Sequence, residues 1–384
     1  MIPVTPRGFK DVLPGEARWR ESIISATRAT LALWGYDPIE TPTLEVLEVL
    51  EQGGTLTQTP FRLFDTDNEL LVLRPDVTLQ VARMAASRLK KEDLPLRLRY
   101  VERVYREEES QRALSRQITQ IGVEAIGLSG TYADAEMILL MVDALKAAGL
   151  TDFVITIGTV GVLRELLELC VASSAVDKAW CDAVLKAFHA GNYVAIDTLA
   201  AVPGLDSRFA DILRELPTVI GKAEAITRVA ELVAPLGIVD GLEQLRSTYA
   251  IIEACGLASY VNIDFSVVSS YDYYTGLVFE AYAPGLGKML GNGGRYDRML
   301  EGFGISAPAA GFAVSLESIM QALLNEDTAG LSQEAPGLFS MTIAEQNPAA
   351  AYIEAAQRRA KGQAVVLDLN NNTASSNNTT GGKK

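Results

Sequence analysis

The sequence predicts an α+β protein in which an antiparallel sheet is flanked by helices. Two observations carry that reading. Segments with strand alternation arrive in pairs, as in LRLRYVERVYRE (96–107) followed by RQITQIGVEAIG (116–127), and segments of helical period lie between the pairs. An Ala/Leu-rich stretch of helical period, from about Val171 to Gly256, separates two strand-bearing blocks and reads as an insertion rather than a linker.

Along the chain, an opening loop gives way to a helix at about Glu16–Trp34, with Ile23, Ile24, Ala29, Leu31 and Leu33 crowding one side. Gly35 and Pro38 stop it, because glycine ends helices and a pre-proline residue leaves the αR region. A strand is expected at Pro38–Thr43. LFDTDNELLVL (63–73) reads as a hairpin turning at Asp67-Asn68, with Leu63 and Asp65 on one arm and Leu71 and Leu73 on the other. Helical period returns from Asp76 to Leu89. In the strand that follows, Leu98 and Tyr100 share one face and basic residues the other.

Tyr132–Ala148 reads as a helix ended by Gly149. The insertion is broken at Pro203-Gly204, Pro217 and Pro235, and strands return at Val261–Val268 and Gly276–Ala283. GFAVSLESIMQALL (311–324) reads as a helix, and residues 337–369 follow a β-α-β pattern. The expected organisation is a core of residues 1–170 and 257–325, a helical insertion at 171–256, a small β-α-β unit at 326–370 and a disordered polar tail at 371–384.

Composition narrows the function. Lys and Arg total 34 against 48 Asp and Glu, a net charge of −14 over 384 residues. Gripping nucleic acid needs a basic face, so nucleic acid is not an expected partner. No apolar run approaches the ~20 residues of a membrane helix, and a polar N-terminus broken by proline and glycine is no signal peptide. With 48% apolar residues the chain can bury a large core. Cys170, Cys181 and Cys255, odd in number and spaced like core residues, fit a reducing cytoplasm. A single histidine, His189, excludes a His-rich metal site, and neither metal nor cofactor is expected.

Five groups carry possible chemistry. In Leu73–Thr78, Asp76 and Thr78 stand where a strand gives way to a helix. They either cap the helix and offset its dipole, or present a carboxylate and a hydroxyl to an ammonium group. Arg106 ends a strand and suits a carboxylate or phosphate, although Glu107, Glu108 and Glu109 beside it would repel a phosphate. Gln120 and Glu124 share one strand face with Gly122: a solvated edge, or ligand contacts if that face is enclosed, since a buried carboxylate demands a partner. Tyr273 and Tyr274 suit a strand, and their phenols suit an imidazole. GNGGRYD (291–297) reads in isolation as a tight turn, since neither a Walker lysine nor dinucleotide-fold glycine spacing accompanies it.

Taken together and in order, these segments resemble the catalytic core of histidyl-tRNA synthetase, a class II aminoacyl-tRNA synthetase. TPRGFKDVLP (5–14) is similar to the family's start, LRPDVT to its RPE-x-T loop, and YREEESQ with SRQITQIGVEAIG to its motif 2. YDYYTGLVFE resembles the histidine-binding stretch, GNGGRYD the glycine strand and GFAVSLESI motif 3. The resemblance runs from about Pro6 to Leu324 and implies a class II core.

It also implies roles. Asp76 (for the usual Glu), Thr78 and Gln120 match positions that hold the α-ammonium of histidine. Glu124, Tyr273 and Tyr274 match those around the imidazole, and Arg106, the retained motif 2 arginine, is expected among the histidine-binding residues with them. Three further arginines of the family are replaced, by Glu109, Ser269 and Ser318. Adenylation depends on cations at the phosphates, so it is not expected. Nor is the family's anticodon-binding domain expected, since a short β-α-β pattern and a polar tail follow the motif 3 segment.

A retained amino-acid pocket without catalytic cations resembles the regulatory subunits of ATP phosphoribosyltransferase. That resemblance implies a short-form catalytic subunit as partner, a hetero-octamer, a homodimer of this chain through its first helix, and histidine as feedback inhibitor in the first step of histidine biosynthesis. A rearranged histidyl-tRNA synthetase and a stand-alone synthetase-like amino-acid sensor are the alternatives.

Overall fold

The computed structural model describes residues 5–53, 59–88, 93–107, 115–173, 176–267, 273–326, 339–342 and 348–368. The tail at 371–384 lies outside them. They divide into two compact units, residues 1–12 with 20–329 and residues 13–19 with 330–384.

In the first half of the chain, helix α1 (Pro14–Leu33) precedes β1 (Asp37–Pro38), β2 (Leu44–Val46), α2 (Leu47–Glu51), β3 (Arg62–Phe64) and β4 (Leu70–Leu73). Then come α3 (Thr78–Arg88), the long strands β5 (Leu96–Tyr105) and β6 (Gln117–Ile126), α4 (Gly130–Ala147), β7 (Val154–Thr159) and α5 (Val160–Ser173). The helical stretch holds α6 (Lys178–His189), α7 (Tyr193–Ala200), α8 (Ser207–Glu215), β8 (Ile220–Gly221), α9 (Ala223–Val233) and α10 (Asp240–Ala254). After it run β9 (Val261–Asp264), β10 (Leu277–Tyr282), β11 (Gly291–Arg295), β12 (Ala309–Ser315) and α11 (Leu316–Asn325). The other unit carries β13 (Phe339–Thr342), α12 (Pro348–Ala360) and β14 (Val365–Asp368), with β13 and β14 parallel.

Nine strands form one sheet in the order β1-β5-β6-β12-β11-β10-β7-β9-β8. From β5 to β7 every neighbour is antiparallel, as the paired alternation predicts. Parallel pairs β1/β5 and β7/β9 at the flanks make the whole sheet mixed. Strands β2, β4 and β3 form a separate antiparallel sheet whose hairpin turns at Asn68, in the left-handed region at φ 64°. Helix α4 buries Met137, Ile138, Leu140, Met141 and Leu145, and α10 packs along it. Among the described residues no helix is long and apolar enough to cross a membrane.

Several elements differ from expectation. The buried stripe of α1 is Ile23, Thr27 and Leu31, one residue per turn, and Leu33 is 89% exposed. The strand expected at Pro38–Thr43 stops at Pro38. Beyond it the backbone serves side chains instead, the Thr41 carbonyl accepting from Arg74 Nη1 at 2.8 Å and the Pro42 carbonyl from Gln80 Nε2 at 3.1 Å. GFAVS is a strand rather than the start of a helix, because residues 311–315 pair with β6 on one side and residues 311–314 with β11 on the other. The helix starts after Ser315, whose Oγ accepts the Ser318 amide at 3.2 Å as an N-cap. GNGGR is likewise a strand, not a tight turn. The helical stretch contributes β8 to the main sheet. Cys170 is buried as a core residue, whereas Cys255 is exposed.

Candidate ligand pocket

Glu124 organises the site. It lies mid-strand in β6, opposite Leu98 of β5 and Gly311 of β12, and is 1% exposed. Its side chain lies over β12, where a Cβ at residue 311 would stand 1.9 Å from Glu124 Oε2, so only glycine fits there. Oε1 accepts from Thr78 Oγ1 at 2.8 Å and, at 3.4 Å, from the Tyr100 hydroxyl. Oε2 accepts from the Tyr296 hydroxyl. Burial pushes the Glu124 carboxyl up to about 7; the Tyr296 and Thr78 hydroxyls pull it down, and the charge of Asp76 adds to the rise.

Asp76 and Thr78 divide the work at the start of α3. Asp76 Oδ1 accepts the Leu79 amide at 3.3 Å, so the carboxylate caps the helix, while the Thr78 hydroxyl is turned to Glu124. Burial raises the Asp76 carboxyl, against the pull of the Leu79 amide and the Arg106 guanidinium. Arg106 also fixes the approach to this turn by donating from Nε to the Pro75 carbonyl at 3.0 Å. Arg74, itself buried, pins the same segment through Arg103 O at 2.7 Å and an ion pair with Glu102.

Gln120 is half-buried on the Glu124 face of β6, and its Oε1 is buried without a hydrogen-bond partner. An acceptor in that state awaits a donor. Tyr273 and Tyr274 pack on each other with ring centroids 4.8 Å apart, and both meet Tyr296, at 5.9 and 6.5 Å. The Tyr274 ring presses on Gly294, where a Cβ would stand 2.6 Å from it. Sequence reasoning assigned no role to Tyr296 or Tyr100, yet both donate to Glu124. Tyr100 was legible only as a core residue of β5, although its strand partner is Gly122, two residues from Glu124. Tyr296 sits inside the quoted GNGGRYD segment.

Where the synthetase pattern places its motif 3 arginine, Ser318 is 2% exposed in the first turn of α11. Its neighbour Glu317 pairs with Arg20 Nη2 at 2.7 Å and accepts the Thr119 amide at 2.9 Å. Glu109 and Ser269, at the other replaced arginines, and Asp272 lie outside the described residues. Among the described residues no cluster of His, Cys, Asp and Glu suits a metal ion.

A family model described as histidyl-tRNA synthetase matches residues 8–319. An ATP phosphoribosyltransferase regulatory subunit of Bacillus subtilis is 35% identical over 363 residues, 94% of this chain and 90% of the relative. One from Alkaliphilus metalliredigens is 34% identical over 324 residues, 83% and 80% of the two chains. A crystal structure from Bacillus halodurans, described as an ATP phosphoribosyltransferase regulatory subunit/histidyl-tRNA synthetase, superposes with a TM-score of 0.86 at 34% identity, covering 97% of this chain and 95% of that one. Histidyl-tRNA synthetase from Nostoc, at 22% identity and a TM-score of 0.79, shares the fold. With its class II synthetase-like sheet and a match along nearly its whole length, the chain belongs to the ATP phosphoribosyltransferase regulatory-subunit family.

Proposed function

We propose that this chain is the non-catalytic regulatory subunit of a cytoplasmic ATP phosphoribosyltransferase and binds histidine in the Glu124 pocket as feedback inhibitor. The observation that carries the reading is Glu124 itself. It is a wholly buried carboxylate held by hydroxyl donors, its carboxyl pushed up to about 7 beside a second raised carboxylate, Asp76. Such a pocket is short of positive charge and of hydrogen-bond donors. Histidine brings an ammonium for Asp76 and the orphaned Gln120 Oε1, and a ring N–H for Glu124. Tyr273, Tyr274 and Tyr296 supply aromatic walls for the imidazole.

Amino-acid activation is a different task, which needs cations on the α-phosphate and leaving group. Ser318 supplies none, and the adjacent Glu317 is a carboxylate. Conformational coupling between this chain and a short-form catalytic subunit, in a hetero-octamer, then carries the inhibition. A homodimer contact through α1, where Leu33 is exposed, belongs to the same reading.

Calorimetric titration of L-histidine onto the purified chain tests the reading. Saturable binding that falls at least about tenfold in Glu124→Ala is expected, since a hydrogen bond to a charged group contributes ~1.5–3 kcal/mol. Absence of binding to the folded wild-type chain, or unchanged affinity in folded Glu124→Ala, overturns it. Co-purification with the short catalytic subunit, and loss of histidine sensitivity of that complex in Glu124→Ala, separates a regulatory subunit from a stand-alone sensor.

A further inference from the structure

Tyr296 is bracketed by two charged residues that the pocket does not use. Arg295 is 3% exposed; its Nε donates to Asp134 Oδ1 at 2.7 Å, and its Nη1 reaches Asp297 Oδ1 at 3.0 Å and the Leu128 carbonyl at 3.2 Å. Asp134, on α4, is 1% exposed, and its other oxygen accepts from Gln244 Nε2 on α10 at 2.5 Å. Asp297 in turn accepts from Thr275 Oγ1 at 3.2 Å, beside Tyr274. A continuous chain of hydrogen bonds therefore runs from the helical stretch, through α4, to the residues on both sides of Tyr296.

Stability alone does not account for this array. Burying a guanidinium and a carboxylate costs solvation that well-packed apolar side chains would not lose, so a buried pair adds little stability over such packing. The seam is also imperfectly satisfied. One turn along α10 from Gln244, Thr248 is wholly buried and its Oγ1 has no hydrogen-bond partner. A seam with an unmet hydroxyl has less to lose on shifting than a saturated one.

We propose that Gln244, Asp134 and Arg295 are positioning residues that tie α10 to Tyr296, so that filling the Glu124 pocket is transmitted to the helical stretch. The inference rests on the reading of that pocket as a histidine site. A ring N–H arriving at Glu124 Oε2 competes with the Tyr296 hydroxyl and displaces it. Arg295 follows, because it is the next residue, and its ion pair with Asp134 resists stretching in a low-dielectric interior. The displacement passes to Gln244 and shifts α10 along α4.

Amide hydrogen exchange of the full chain with and without L-histidine, read beside calorimetry, tests this. In the wild type, histidine should change exchange at residues 240–254 by about fivefold or more, the lower end of ordinary coupling, as well as around Tyr296. In Gln244→Met, which keeps volume and leaves the ion pair intact, the change should be confined to the pocket strands while histidine still binds. Gln244→Asn, which keeps the amide and shortens the reach, gives a second reading should the first variant fold poorly. A merely structural contact would lower the melting temperature of both variants yet leave the response at 240–254 intact, and that result overturns the proposal. So does calorimetric binding to the wild type with no response there. If histidine does not bind the wild type at all, the pocket reading fails first and the relay falls with it.

Discussion

The Tyr296 hydroxyl meets Glu124 across 172 residues of sequence and across an intervening strand, since β12 lies between β6 and β11. The contact exists because residue 311, paired with Glu124 on one side and Gly294 on the other, has no side chain to block it. Tyr296→Phe keeps the ring and removes the donor. Histidine should bind more tightly, by up to about tenfold, because its ring N–H no longer has to displace a hydroxyl whose hydrogen bond contributes about 0.5–1.5 kcal/mol. Calorimetry checks it, with unchanged near-UV circular dichroism showing that the fold is kept.

Gly311→Ala should damage both fold and site. The added Cβ meets Glu124 Oε2 at 1.9 Å and the Val123 carbonyl at 2.4 Å, and a backbone carbonyl inside a paired strand cannot retreat. A loss of about 1–3 kcal/mol in denaturant unfolding is expected, together with loss of histidine binding. If Gly311→Ala is as stable as the wild type, β12 is not held where described.

Much of this was legible in sequence. The long strands β5 and β6 alternate cleanly, so Glu124 and Gln120 fell on one face without any structure. What alternation cannot reveal is which face is enclosed, and so whether Glu124 is a solvated edge or a buried carboxylate. GFAVS misled because its apolar, small residues suit a helix as well as a strand, and pairing on both sides decided the matter. Tyr296 was hidden because its role depends on β6 and β11 lying two strands apart in one sheet, a property no local window contains. Thr78 read equally well as a cap, and only the presence of Asp76 Oδ1 at the Leu79 amide frees its hydroxyl for Glu124.

The chain should not activate histidine. Histidine-dependent ATP–pyrophosphate exchange is expected to be absent from repurified protein. Ser318→Arg alone should not restore it, because Glu109 and Ser269 leave two further cations missing and each is asked for several kcal/mol of transition-state stabilisation. Exchange that survives repurification and is lost in Glu124→Ala would mean that the remaining side chains suffice for catalysis.

Glu124 also gives the unliganded chain a characteristic pH dependence. Its carboxyl stands at about 7 in the folded state, raised chiefly by burial, against about 4.3 in an unfolded chain. A raised carboxyl favours the protonated form in the native state, so its stabilising contribution is fully present below the unfolded value. It is lost as pH rises towards 7, at up to about 1.4 kcal/mol per pH unit. Asp76, also raised by burial, acts in the same direction. The stability of wild type relative to Glu124→Gln, measured by urea unfolding between pH 5 and pH 8, should therefore fall as pH rises, because glutamine cannot titrate. Histidine reverses the effect locally. Its ammonium and ring N–H favour the carboxylate, so binding near pH 7 should release more protons from the wild type than from Glu124→Gln, seen in calorimetry as a heat that changes with the ionisation enthalpy of the buffer. A wild-type minus Glu124→Gln difference that is flat with pH, or equal proton release by the two proteins on binding, would show that Glu124 is already ionised in the empty pocket.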